Sequence, residues 1–187
     1  MLTNEIFKSV ILTATALTIA VISGGQSIQT VPPMESPRIV IKKNQRRLQI
    51  FDGEKLSKTY KIALGFAPDG GKQTEGDGKT PEGKFYVFVK NAKSKFYLSL
   101  GLSYPNVEAA RRGLEDEIIS REEHDAILEA IEQKKMPPPQ TALGGEIYIH
   151  GGGIAADWTK GCVALRNEEM QEIYDASPVG AEVVIEE

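Results

Sequence analysis

Residues 146–165 read EIYIHGGGIAADWTKGCVAL and contain the only cysteine of the chain, Cys162. His150 lies in the same stretch, at the end of an apolar run and at the start of three consecutive glycines. A thiolate is a strong nucleophile, a neutral imidazole can generate it, and glycines let a substrate carbonyl approach backbone N–H donors. The stretch therefore predicts a strand, a glycine turn and a nucleophilic cysteine with a histidine base. From the residue types alone, a buried structural cysteine stays open as the alternative.

The same stretch resembles the signature of the L,D-transpeptidase catalytic domain, also called the YkuD domain. That family has a His-Gly pair, a variable loop, and then Ser or Thr, His or Lys, Gly and the nucleophilic Cys. Residues 159–162 fill the last four places, and His150 fills the place of the base. Asn167 matches a recurrent asparagine of the motif, and residues 76–85 (GDGKTPEGKF) resemble the family's Thr-Pro-x-Gly turn before a core strand. The resemblance covers residues 38–187.

Two departures from the family pattern concern the surroundings of the cysteine. Many members have an arginine two positions after the cysteine, where this chain has Ala164, and Arg166 follows two positions later. The loop between the histidine and the cysteine is also shorter than in many members. Both departures bear on how substrate is held more than on the fold or the nucleophile.

The resemblance implies a peptidoglycan stem peptide as substrate and requires no cofactor and no metal. It implies that Cys162 attacks the carbonyl at the L-centre of meso-diaminopimelate and expels D-Ala, with His150 as proton shuttle. The thioester then passes to an amine acceptor, which is a peptide or a protein. The backbone N–H of Gly161 is the predicted oxyanion donor, with that of Cys162 as the alternative. Thr159 is predicted to orient the imidazole, with a plain turn residue as the alternative.

Two further functions stay open at this point. A hydrolase on the same scaffold, either an L,D-carboxypeptidase or an amidase that releases wall-linked protein, shares the chemistry up to deacylation, where water replaces the amine. A non-catalytic wall-binding module belongs to a different class. The intact Cys-His pair argues against such a module, because a binding module has no need of the thiol.

Composition and motif spacing exclude several other classes. The net charge of −4 provides no basic surface for nucleic acid. One cysteine and two histidines give no zinc ligand set. Gly78-Lys79-Thr80 fails as a phosphate loop because Gln73 stands where glycine is required, and no Gly-x-Ser-x-Gly elbow is present. The second histidine, His124, is predicted to lie exposed in the first turn of a helix.

The N-terminus predicts export. An apolar run without charge, residues 10–22, follows Lys8 and has the length of a signal-peptide core. We therefore interpret residues 1–25 as a signal peptide or an N-terminal membrane anchor and residues 26–37, which contain three prolines, as a linker. Contact with a membrane is expected only through the N-terminal segment if it is not cleaved. The catalytic domain, residues 38–187, is expected in the periplasm or cell envelope.

Alternating apolar residues predict a mainly β, sandwich-like domain. Strand patterns begin at residue 38 and continue through residues 48–51 and 59–64, with turns between them, and residues 85–89 form the clearest core strand. A helical insert is predicted at about residues 106–139, where Ser120 and Glu123 form a capping box pattern. A short helix is predicted after Cys162, and a last strand closes the sheet.

Overall fold

The computed structural model describes residues 34–187 of the chain. The predicted signal peptide or anchor and residues 26–33 of the predicted linker therefore lie outside the described residues. Within the described part, the chain folds into one sheet of eight strands and three helices. The elements are β1 (Pro37–Lys42), β2 (Arg47–Asp52), β3 (Lys55–Lys61), β4 (Gly83–Ser94), β5 (Tyr97–Leu102), α1 (Val107–Glu115), α2 (Arg121–Glu132), β6 (Tyr148–His150), β7 (Val163–Ala164), α3 (Asn167–Ala176) and β8 (Glu182–Glu186).

None of the helices formed by residues 34–187 has the length and apolar character needed to span a membrane.

The sheet curls so that its two ends meet. Its strand order is β3-β2-β1-β8-β4-β5-β6-β7, with parallel pairing only between β1 and β8 and between β6 and β7. The chain leaving β3 reaches the opposite end of the sheet, where Ala63 bridges Ala164 and Gly65 bridges Thr159. This curled sheet, with two helices in the insert and one after the cysteine, confirms the predicted mainly β fold class.

The first three strands bury one face, as their alternating sequences predict. Ile39 and Ile41 in β1 and Leu48 and Ile50 in β2 are all fully buried. Side chains at alternate positions of a strand point to the same face, so these residues cover one side of the sheet with apolar surface. The antiparallel pairing of β1 with β2 and of β2 with β3 confirms the predicted meander.

The insert contains two helices, whereas the sequence predicted one. In α2 the predicted capping box is confirmed, because Ser120 Oγ accepts a hydrogen bond from Glu123 N (3.2 Å) and Glu123 Oε2 accepts one from Ser120 N (2.8 Å). Ile127 of α2 is fully buried in a second apolar cluster, and burial of such a side chain is worth about 1.5–3 kcal/mol. Helix α1 was missed because its buried residues, Ala109, Ala110 and Gly113, are small, so no stripe of large apolar side chains marks it in the sequence.

A buried lysine fixes the long loop between β3 and β4. Lys43 donates from Nζ to Gly70 O (2.6 Å), to Thr80 O (3.0 Å) and to Glu82 Oε1 (2.7 Å). All three donors of its ammonium group therefore have acceptors, which offsets the cost of burying the charge. The hydroxyl of Thr80 in turn accepts a hydrogen bond from Gly65 N (3.0 Å). The loop is thereby held against the end of the sheet that carries Cys162.

Candidate active site

The candidate site lies on the face of β5, β6 and β7 that points away from the core. Ile149 pairs with Val163 across the parallel β6–β7 ladder, and both side chains are fully buried in the core. Because successive side chains of a strand alternate between faces, His150 and the residue before Val163, Cys162, lie on the opposite face. Ser99 of β5 pairs with His150 and shares that face.

A cavity of about 610 Å³ opens on this face, and both Cys162 and His150 line it. Its walls come from the loop after β3, the β4–β5 hairpin, the segment before β6 and the turn before β7. The two residues predicted to carry the chemistry are thus brought to one cavity. The lining residues are Lys72, Glu75, Gly76, Asn91, Lys93, Ser94, Lys95, Phe96, Ser99, Pro139, Gly144, Gly145, Glu146, Ile147, Tyr148, His150, Lys160 and Cys162.

The thiol of Cys162 is half-buried and bonded to backbone groups of the segment that leads into β6. Its Sγ accepts a hydrogen bond from Tyr148 N (3.4 Å) and donates to Glu146 O (3.6 Å). Glu146 has a φ of 53°, a left-handed conformation that is uncommon outside glycine. Burial raises the pKa of the Cys162 thiol to about 11, and the charge of Glu146 raises it further. The hydrogen bond from the Tyr148 N–H and the charge of Lys72 oppose this shift. The thiol is therefore protonated at neutral pH.

His150 is buried, and only 3% of its surface is exposed. Its Nδ1 lies 2.5 Å from Gly151 O, and because a carbonyl only accepts, Nδ1 carries the proton. Burial lowers the pKa of His150 below its usual value, although the bond to Gly151 opposes the shift. The imidazole is thus neutral at pH 7 with an unprotonated Nε2, the form in which a histidine acts as a base. Within the described residues it makes no hydrogen bond to Cys162 Sγ.

Two aromatic side chains contact the imidazole, and one of them, Phe96, also lines the cavity. The ring of Phe96 stacks on His150 with centroids 4.7 Å apart and planes inclined by 23°. Trp158 meets the imidazole edge-on at 5.6 Å and donates from Nε1 to Gly153 O (3.1 Å). These contacts account for the desolvation that lowers the pKa of His150. The sequence offered no signal for Phe96, which comes from a hairpin remote in the chain.

Thr159 organises the turn that carries Cys162, and its hydrogen bonds within the described residues do not include one to His150. Its hydroxyl donates to Cys162 O (2.7 Å) and accepts a hydrogen bond from Gly161 N (3.2 Å). The alternative interpretation as a turn residue therefore describes its contacts better. The imidazole is oriented by Gly151 O instead, which is a backbone acceptor that residue types do not reveal.

Gly161 is required by its backbone conformation and by a close neighbour. Its φ is 130°, and a Cβ at this position would lie 2.7 Å from Lys79 O. Because the Gly161 N–H already donates to Thr159 Oγ1, it is occupied in this ligand-free structure. The N–H of Cys162 makes no hydrogen bond to any residue of the described range, so it is the better placed of the two predicted oxyanion donors.

The comparison with protein families agrees with this geometry. The family model described as the L,D-transpeptidase catalytic domain, YkuD, matches residues 36–185. The chain belongs to this L,D-transpeptidase catalytic domain family. The resemblance stated from the sequence is therefore confirmed.

Solved structures share the L,D-transpeptidase fold of this chain at low identity. The helical cell shape determining protein Pgp2 from Campylobacter jejuni superposes with a TM-score of 0.54 at 22% identity, covering 84% of this chain and 50% of that one. Bd1075 from Bdellovibrio bacteriovorus gives a TM-score of 0.52 at 20% identity, covering 84% and 51%. The chain thus spans about half the length of each structure, and the likeness extends to the fold. The comparison with curated proteins finds no match.

Other residues of the family motif support the loop between His150 and Cys162. Asn167, which matches the recurrent asparagine of the motif, is the first residue of α3, and its Oδ1 accepts a hydrogen bond from Gly152 N (3.0 Å). Asp157 accepts from Leu64 N (2.8 Å) and pairs with Arg46 (2.8 Å). These two side chains anchor the loop at both ends, which is why a short loop holds a defined shape in this L,D-transpeptidase domain.

Two residues that the sequence analysis singled out, His124 and Arg166, lie outside the cavity. His124 lies near the start of α2, where its Nδ1 contacts Asp125 Oδ1 (2.7 Å). Arg166 pairs with Glu169 (3.0 Å), and the side chain is exposed. Arg166 does not line the cavity that contains Cys162. Within residues 34–187, no group of three or more His, Cys, Asp or Glu side chains is placed to hold a metal ion.

We expect alkylation of Cys162 by iodoacetamide to accelerate about tenfold per pH unit between about pH 7 and pH 10. The thiolate is the reactive form, and a raised pKa lowers its fraction at pH 7 to about one in ten thousand, against a few per cent for an ordinary thiol. The measurement is the alkylation rate by intact mass. The control is the same protein unfolded in urea, whose rate should level off above about pH 8.5. A plateau below about pH 8 in the folded protein would instead indicate a thiolate–imidazolium pair.

Proposed function

We propose that the protein is a cysteine-dependent L,D-transpeptidase that acts on peptidoglycan stem peptides through a thioester on Cys162. The observation that carries this proposal is the placement of Cys162 and His150 on one face of the β6–β7 ladder, lining one cavity. A neutral imidazole with a free Nε2 beside a protonated thiol is the starting state for general-base activation of a nucleophile.

In the proposed acylation, the thiol turns from Glu146 O toward Nε2 of His150. The imidazole takes the thiol proton as Sγ attacks the carbonyl at the L-centre of meso-diaminopimelate. The N–H of Cys162 stabilises the oxyanion. The bond to D-Ala then breaks, and its amine receives the proton from His150. This step requires the thiol to give up its contact with Glu146 O.

In the proposed deacylation, an amine of an acceptor peptide or protein attacks the thioester, with His150 as base. A hydrolase would use water at the same step and the same residues. The β4–β5 hairpin lines part of the cavity with Asn91, Lys93 and Lys95. Because stem peptides lie outside the cytoplasm, the proposal includes export of the domain to the periplasm or cell envelope, with residues 1–25 as the signal peptide or anchor.

The test is to incubate the purified protein with a tetrapeptide muropeptide and to analyse the products by liquid chromatography and mass spectrometry. Crosslinked dimers with release of D-Ala are the expected result. Tripeptides without dimers would replace the transferase by a carboxypeptidase, and an unchanged profile would favour a wall-binding module. The protein alkylated at Cys162 serves as the control, since it keeps the fold and lacks the nucleophile.

A further inference from the structure

A buried ammonium group lies in the wall of the cavity that contains Cys162. Lys72 comes from the loop after β3, and only 3% of its side chain is exposed. Burying a charged group in this way is costly unless it is paired, and buried charges cluster at functional sites. Neither the motif of the family signature nor the spacing of residues in the sequence singles out this lysine.

We propose that Lys72 binds a carboxylate of the peptide donor and so places the scissile carbonyl beside Cys162. The inference rests on the proposed function, because it names the substrate group that the same cavity recognises. Two carboxylates of a stem tetrapeptide lie close to the scissile carbonyl, namely the C-terminal carboxylate of D-Ala and the free carboxylate at the D-centre of meso-diaminopimelate. Both present the same chemistry to an ammonium group.

The hydrogen bonds of Lys72 leave one donor for a ligand. Its Nζ donates to Thr74 O (2.9 Å) and to Asp77 Oδ1 (2.8 Å). An ammonium group has three donors, and the third has no acceptor within residues 34–187. A donor of a buried charged group without a protein acceptor is suited to a charged acceptor on the substrate, where the resulting bond is stronger than a neutral one.

Asp77 fixes the position of the Lys72 ammonium group. Its carboxylate accepts from Lys72 Nζ and from three backbone N–H groups, those of Gln73 (2.7 Å), Thr74 (3.1 Å) and Lys79 (3.0 Å). Asp77 is not among the residues that line the cavity, whereas Lys72 is. Lys72 thus contributes to the cavity wall, and its charge acts on the Cys162 thiol, where it opposes the raised pKa. The position of the ammonium is set before substrate binds, which limits the entropy lost on binding.

The charge of the cavity favours an anionic ligand although the whole chain carries a net charge of −4. Its lining contains four lysines and two glutamates. Three of these lysines, Lys93, Lys95 and Lys160, are exposed, so solvent and salt screen them and they serve mainly to attract a ligand. Lys72 is the buried one, and a fixed charge in a region of low dielectric contributes most to specific recognition.

The test combines variants of the protein with variants of the substrate. Wild-type protein and Lys72→Met are compared on the tetrapeptide and on two analogues, each with one of the two carboxylates converted to a carboxamide. Binding is measured as protection of Cys162 from iodoacetamide, normalised to the ligand-free rate of the same variant, and turnover is measured in parallel. Lys93→Met, which removes an exposed lysine of the same cavity, is the matched control.

We expect Lys72→Met to weaken protection by the tetrapeptide about tenfold to a hundredfold and Lys93→Met to weaken it less than about threefold. One of the two carboxamide analogues should bind the wild-type protein as weakly as the unmodified tetrapeptide binds Lys72→Met. The Lys72→Met variant should bind this analogue and the tetrapeptide equally. The analogue with this behaviour identifies which carboxylate pairs with Lys72. A purely structural role of Lys72 would lower protection by all three peptides to the same degree, which would overturn the proposal.

The outcome does not depend on obtaining a folded variant or on turnover. If Lys72→Met fails to fold, equal protection of the wild-type protein by the tetrapeptide and by both carboxamides already overturns the inference. If wild-type protein binds the tetrapeptide without converting it, the proposed function fails while the protection ratios still test Lys72.

Discussion

Replacement of Cys162 by alanine is expected to lower turnover of tetrapeptide muropeptides by at least about 10⁴-fold while the protein stays folded. The thiol is the only group in the proposed mechanism that forms the covalent intermediate, so no residual acyl transfer can pass through it. The substitution deletes one sulfur atom from a half-buried position and two weak hydrogen bonds, and it should cost no more than about 1 kcal/mol of stability. Product formation and the melting temperature are the two measurements.

The same variant also separates covalent chemistry from binding. The family resemblance implies that a carbapenem acylates the cysteine, so the wild-type protein should gain one adduct by intact mass and Cys162→Ala should gain none. Wild-type protein that has been alkylated beforehand is the control and should also gain none. An equal adduct on both proteins, or retained turnover in the alanine variant, would assign the reaction to a different residue and remove the thioester mechanism.

Replacement of His150 by glutamine is expected to lower turnover about 10²- to 10⁴-fold, the range typical for loss of a general base. The physical reason is the state of the free protein, in which the pKa of the thiol is raised and that of the imidazole is lowered, so the thiolate forms only when His150 accepts the proton. The iodoacetamide reactivity of His150→Gln should stay close to that of the wild type between about pH 7 and pH 10, because alkylation follows the thiolate fraction that the raised pKa of the thiol sets. Turnover should stay low even at about pH 10, because the leaving amine needs a proton from His150.

The matched control is His124→Gln, which changes the other histidine of the chain. His124 lies in the insert on α2 and does not line the cavity, so its replacement should change turnover less than about twofold. A large loss in His124→Gln, or an unchanged rate in His150→Gln, would contradict the assignment of the base. The turnover of the wild-type protein should also be lost on the acid side only below pH 6.5, because burial lowers the pKa of His150.

Predictions from local patterns were accurate where an element depends on its own residues. The capping box of Ser120 and Glu123 satisfies backbone groups within one helical turn. The alternation in β1 and β2 places apolar side chains on one face of the sheet, regardless of which element packs against that face. Strand β5, which includes residues 99–102, was not predicted from the sequence. Its buried run includes Gly101, against which the ring of Phe88 packs, and only the neighbouring strand explains why a glycine is needed there.

The candidate site also contains residues that the sequence indicated and contacts that it did not predict. Residue types and motif spacing indicated Cys162 and His150, since nucleophile and base need particular functional groups. The contacts of Thr159 and Gly161 were not predictable, because a hydroxyl and an N–H have many acceptors and donors within reach. Their partners follow from the path of the turn, which Asp157 anchors to Leu64.

The sequence by itself determined the chemistry available to this protein: a single thiol, a histidine close by, and a strand-and-turn pattern typical of the L,D-transpeptidase catalytic domain. Tertiary structure alone decided the environment of that chemistry. Phe96 from the β4–β5 hairpin covers the imidazole, and Lys72 from the loop after β3 enters the wall beside the thiol. The physical reason is that desolvation and Coulomb interaction depend on distance in space, which the curled sheet sets by joining segments far apart in the chain.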